Sequence, residues 1–193
     1  RLMFSASNMP TPNGASDYSK PISALLLPGF IVINNIVPKN VNQLIDLIEA
    51  SPTTLSPLAA STLPAIRPHE AIILLCSQRS RDARCGQSAP LLRKEFERHL
   101  RPLGLYRNMN DERPGGVGIC FISHLGGHKY SANVMHMSRR GGEVGAAQCI
   151  WLARVRPEDC ENLVRYTVLQ EKVVKPEHQL RGGFDRVKGV TSW

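Results

Sequence analysis

The sequence predicts a mixed α/β domain, and three observations carry that expectation. Short apolar or β-branched runs recur at residues 30–33, 71–75, 117–122, 133–137 and 148–153. Stretches with apolar residues at helical spacing fall between the first three runs and after the last. At 193 residues, the chain has the length of one domain that buries its own core without metal or disulfides.

Taken in order, residues 1–22 are polar and rich in Ser, Asn and Pro, and read as a flexible lead-in. The domain then occupies residues 23–184, with 185–193 as a C-terminal tail. Residues 30–33, Phe-Ile-Val-Ile, suit a buried strand. Pro38 opens a helix in which Val41, Leu44, Ile45 and Ile48 share a face. Residues 51–69 hold four prolines among Ser and Thr and read as a loop insertion. The run at 71–75 is the second strand and delivers Cys76 at its end. Ser88 is a suitable cap and Pro90 a suitable first-turn residue for the next helix, whose buried face is Leu91, Leu92, Phe96, Leu100 and Leu103. A third strand, 117–122, ends just before Ser123-His124. The runs at 133–137 and 148–153 pair through a turn at Arg139-Arg-Gly-Gly142, and a last helix covers 157–170. From Arg181 onward the glycines and charges suggest irregular chain. The order βαβαββα is that of the thioredoxin fold, a central mixed sheet flanked by helices.

A formal charge of +8 and a pI near 9.6 favour acidic partners. Only 6% of residues are aromatic, too few stacking platforms for the usual nucleic-acid surface, so no nucleic acid is expected. Five cysteines form no secreted disulfide framework and point to a reducing, cytoplasmic setting. No secretory signal or membrane span is evident. The first residue is Arg1 rather than Met, which suggests a piece of a longer protein.

Two short pieces concentrate the chemistry. Cys76-Ser-Gln-Arg-Ser-Arg-Asp-Ala-Arg-Cys85 spaces two thiols by eight residues, and His124-Leu-Gly-Gly-His128 follows after thirty-eight more. Two thiolates and two imidazoles complete a tetrahedral zinc site, or supply two ligands to each iron of a 2Fe–2S cluster. Gly126 and Gly127 allow a turn tight enough for both rings to face one point. Cys120, Cys149 and Cys160 lie within strand or helix patterns and are expected in the core. His136 alternates with methionines on a sheet face, and His69, His99 and His178 are expected at the surface. Arg79, Arg81 and Arg84 offer hydrogen bonds and a positive collar beside the first ligand loop. No Cys-x-x-Cys is present, which disfavours dithiol exchange.

This pattern, Cys-x8-Cys followed by His-x-Gly-Gly-His, resembles the signature of the fungal and plant sucrase/ferredoxin-like proteins, which are thioredoxin-like ferredoxins. Cys76-Ser77, Arg81-Asp82, Arg84-Cys85-Gly86, Ala89-Pro90, His128-Lys129-Tyr130, Asn133-Val134, Ala153-Arg154-Val155 and Leu180-Arg-Gly-Gly183 agree with it. The resemblance implies a 2Fe–2S cluster with Cys76 and Cys85 on one iron and His124 and His128 on the other. It also implies a non-enzymatic electron carrier, taking electrons from a reductase and passing them to an acceptor. Histidine ligation would raise its potential and couple electron to proton. A binding module with a structural Cys2His2 zinc site is the alternative. Lys129 joins the arginines and the two glycines as a candidate to support the site or meet a partner. Ser192-Trp193 is similar to the terminal signal that recruits the cytosolic iron–sulfur assembly machinery. Sucrose hydrolysis finds no carboxylate pair identifiable by spacing.

Overall fold

The computed structural model describes residues 3–14, 17, 20–50, 65–66, 69–111, 113–126, 129–140 and 145–192. Most of the expected insertion at 51–69 lies outside them, as do Gly127, His128, Trp193 and the glycines of the expected 139–142 turn.

The molecule is built on β4, Ala71–Cys76, in which every residue is buried. Its uninterrupted apolar run is what a strand covered on both faces requires. β4 pairs in parallel with β6, Val117–Ile122, and antiparallel with β7, Val134–Ser138. Beyond β7 lies β8, Gln148–Leu152, and then β10, Leu180–Asp185. The two-residue β5, Tyr106–Arg107, flanks β6 on the other edge. The central sheet therefore has six strands in the order β10-β8-β7-β4-β6-β5.

Alternation along β4 sends Ala71, Ile73 and Leu75 to one face and Ile72, Leu74 and Cys76 to the other. The first set meets α2, Ala83–Leu100, through Ala89, Leu92, Phe96 and Leu100. The same core takes in α3, Cys160–Asn162, which continues as a π-helical turn at Leu163–Val168. The second set packs with Cys120, Met137, Cys149 and Phe30. Phe30 belongs to the connection between β1, Ile22–Leu26, and β2, Ile31–Ile36. These strands and β3, Ala65–Ile66, make a separate antiparallel sheet, whose far face packs on α1, Val41–Ala50, through Ile31, Ile33, Ile36 and Leu44.

The mixed α/β class, with a central sheet flanked by helices, is as expected. The finer order differs, because β2 leaves the central sheet and pairs with β1. A strand's own pattern sets which face is buried, not which neighbour it joins. The second helix also starts earlier than expected. The Asp82 carboxylate accepts the Arg84 N–H and caps α2, so Ser88 and Pro90 fall inside the helix. Nor is the C-terminal stretch irregular: β10 pairs with β8, and β11, Thr191–Ser192, runs parallel to β9, Lys172–Val173. Asp185 anchors β10 by accepting from Arg140 and Gln148. Among the described residues, no helix is long and apolar enough to cross a membrane.

Candidate functional site

Parallel pairing opposes Cys76 to Ile122, so the chains leaving β4 and β6 emerge at the same end of the sheet. That is where open α/β sheets form their crevices. From Cys76 the chain turns through residues 77–82 and returns as α2, placing Cys85 in the first helical turn. The expected loop cysteine is thus a helix residue, and helix geometry fixes its direction. Both thiols are buried, and the Cys85 sulfur is near enough to act on Cys76, whose thiol is directed to the Ser123 carbonyl at 4.0 Å.

Burial, then the neighbouring Cys85 sulfur, pushes the Cys76 thiol up to about 11, so it is protonated at neutral pH. The backbone N–H groups of Leu125 and Gln78 also reach the Cys76 sulfur and favour its ionised form. Such amide–sulfur hydrogen bonds are the kind that tune a thiolate once it binds a metal.

The second loop lies beside the first. Ser77 donates through both its N–H (2.9 Å) and its hydroxyl (3.2 Å) to the Ile122 carbonyl. His124 and Gly126 line one cleft with Cys76 and Cys85. Gly126 has φ +91°, a conformation that glycine adopts without strain. Four residues of the expected lead-in, 5–8, hold this loop. Ser123 N–H donates to Ala6, His124 N–H to the Ser5 hydroxyl (3.1 Å), and Phe121 N–H to Asn8 Oδ1 (2.7 Å).

The arginines differ in what they do. Arg84 makes a two-point contact with Asp82, at 3.1 and 3.0 Å, and holds that carboxyl below its usual range. Its charge is therefore largely spent within the loop. Arg81 lines the cleft. Arg79 packs against Gly86, where a Cβ would sit 2.5 Å from Arg79 Cβ and 2.8 Å from its Cα. Lys129 lies 5.6 Å from the Tyr130 ring centroid.

Cys120, Cys149 and Cys160 are core residues, as expected. His136 lies buried in β7, where desolvation lowers it to about 4. His69 departs from the expected surface position: it is 7% exposed, its ring lying over Gly118. An isolated glycine within a strand pattern was the available signal for that close approach. The meeting of Tyr130, Arg154 and Arg181 had no local signal, because these residues come from three separate segments.

The comparisons with known proteins bear on this site. The sucrase/ferredoxin-like family matches residues 1–182. The chain belongs to that family. Its relatives include Actin patches distal protein 1 of Saccharomyces cerevisiae, 33% identical over 159 residues, which are 80% of this chain and 49% of that protein. Altered inheritance of mitochondria protein 32 of Clavispora lusitaniae is 36% identical over 107 residues, covering 55% of this chain and 33% of that protein. The protein of the same name from Meyerozyma guilliermondii is 33% identical over 108 residues, covering 56% and 33%. This sucrase/ferredoxin-like chain spans half or less of the length of these relatives. No solved structure gives a significant match.

These findings correct the electron-carrier expectation, together with its alternative of a zinc-bearing binding module. The relatives are named for actin patches and for inheritance of mitochondria, not as iron–sulfur electron carriers. Among the described residues, no group of three or more His, Cys, Asp or Glu side chains is placed to hold a metal ion. The physical reason lies in the two loops. They bring the thiols into contact, but His124 shares their cleft without closing a three-donor set, and His128 lies outside the described residues.

Proposed function

We propose that this domain has a non-enzymatic, cytoplasmic role in cell organisation, of the kind named for the yeast actin-patch relative, and that its Cys76–Cys85 pair anchors a 2Fe–2S cluster. Electron carriage is no part of this reading. The observation that carries it is the meeting of two buried thiols, nine positions apart, at the end of β4 beside His124. The donor chemistry fits in part: two sulfurs in contact, amide N–H groups directed at one of them, and an imidazole on the same cleft. Cys76 and Cys85 would hold the group from one side, and the loop of His124 and His128 from the other.

When bound, the group supplies a soft-ligand cross-link between two loops. The residues do the rest. β4 and α2 fix the sulfurs, Leu125 and Gln78 offset the charge of an ionised Cys76, and Gly126 shapes the turn. The test is to quantify iron, acid-labile sulfide and zinc in anaerobically purified protein, beside Cys76→Ser. About two iron and two sulfide per chain, lost in the variant, are expected. About one zinc without sulfide, or wild-type metal content unchanged by Cys76→Ser, would overturn the proposal.

A further inference from the structure

Beside the thiol cleft, three segments distant in sequence converge on one ring. Tyr130 follows the His124 loop and lines the cleft. The Arg154 guanidinium lies 4.3 Å from its ring centroid, that of Arg181 4.1 Å, and the Lys129 ammonium 5.6 Å. Two guanidinium groups lying over one ring are held in a fixed orientation, which a solvated arginine is not.

Backbone irregularities aim both arginines. Arg154 has φ +57°, an uncommon conformation for a side chain of its size. It persists because its surroundings hold it at both ends. Its N–H donates to Ser131 O at 2.9 Å, and its carbonyl accepts from Gln179 Nε2 at 3.5 Å. Gln179 is buried and tied in turn to Asp159 at 2.7 Å. Arg181 sits where the β10–β8 register shifts, between Leu180 and Gly182. A bulge of that kind redirects a side chain out of its ladder position. Strain held by the surrounding structure and a bulge beside a cleft are both features that gather at functional sites. The Tyr130 backbone is fixed as well, its carbonyl accepting from Asn133 Nδ2 at 2.8 Å.

Neither arginine forms an ion pair with any described residue. Stacking uses the guanidinium faces and leaves the N–H edges for an oxyanion, the geometry that matches a carboxylate in a two-point contact. We propose that Tyr130, Arg154 and Arg181 form a receptor for carboxylates, docking an acidic segment of a partner protein against the rim of the thiol cleft. The position of Arg181 selects the partner class. It lies in β10, an edge strand of the central sheet, and a sheet edge is suited to an extended polypeptide rather than to nucleic acid or an anionic bilayer. Arg154 also lines a cavity of about 410 Å³ in which Arg156 pairs with Glu158 and Lys175 with Asp159, so those carboxylates do not oppose an acidic segment. This inference does not depend on what the thiols bind.

The test is titration of the full chain with a hexaglutamate peptide at low ionic strength, alongside inorganic phosphate, phosphoinositide vesicles and duplex DNA. Arg154→Gln with Arg181→Gln is expected to weaken peptide binding about tenfold or more. Arg181→Gln alone keeps the test readable if the strained backbone at 154 is disturbed. Arg84→Gln, whose charge is already paired with Asp82, should stay within about twofold of wild type. Wild-type affinity in both arginine variants overturns the proposal. So does binding of vesicles, DNA or free phosphate through these arginines while the peptide does not bind. Iron and sulfide content should be the same in all these variants, which separates this outcome from failure of the cluster reading.

Discussion

Gly86→Ala tests whether the first ligand loop and α2 are joined as described. An alanine Cβ would stand 2.5 Å from Arg79 Cβ and 2.8 Å from Arg79 Cα, where carbon atoms prefer about 3.5–4.0 Å. Because the Arg79 atoms are its Cβ and Cα, rotating that side chain relieves nothing. The loop or the first turn of α2 must move by about 1 Å. Either movement strains the Asp82 and Gly86 N–H bonds to Gln78 and Asp82, and the Asp82 cap. Overpacking costs about 1–3 kcal/mol and a lost cap about 1 kcal/mol, while alanine in a helix returns about 1 kcal/mol over glycine. The expected net loss is about 1–3 kcal/mol. Urea unfolding should show a lower midpoint with an unchanged slope, and Cys85 should react faster with a thiol reagent. Equal or greater stability with unchanged thiol reactivity would refute this account of the Arg79–Gly86 contact.

Other consequences are as direct. Asp185→Ala removes a fully buried carboxylate from Arg140, and it should lower stability by about 2–4 kcal/mol in urea, less than for an isolated buried pair because Glu171 remains. Arg140 holds the carboxyls of both Asp185 and Glu171 below the usual range. Their contribution is therefore present above the unfolded carboxylate values of about 4 and is lost as pH falls towards the lower folded values. Stability measured from pH 6 to pH 3 should fall less steeply in Asp185→Asn than in wild type. Phe96→Ala, at the centre of the α2 contact with the sheet, should cost about 3–5 kcal/mol by thermal or urea unfolding.

What the sequence discloses depends on how local the determining physics is. β4 and β6 are legible because two-sided burial writes near-continuous apolar runs into them, and β7 and β8 because short apolar stretches survive around His136 and after Gln148. The start of α2 is not, because Asp82 and Ser88 are both competent caps, and the choice rests on the Asp82 contact with Arg84 N–H. β10 hides behind Gly182 and Gly183, residues unsuited to a strand by propensity. Yet a Cβ at Gly183 would strike the Cys149 carbonyl, so the ladder needs the glycine. At the site, the thiol pair follows from spacing, since a strand end and a helix start are joined by a short turn. The ring of cations around Tyr130 does not, because it depends on an unusual φ at Arg154 and a bulge at Arg181.

The Ser5 hydroxyl contacts both the N–H and the carbonyl of His124, while β4 and α2 carry the cysteines through the core. The histidine side therefore has two fastenings of different kinds: Leu125 is buried in the same core cluster as both thiols, while residues 5–8 lie across the loop from outside. A proteolytic nick beyond residue 8 would undo only the outer fastening, loosening the His124 backbone while Leu125 stays seated beside the thiols.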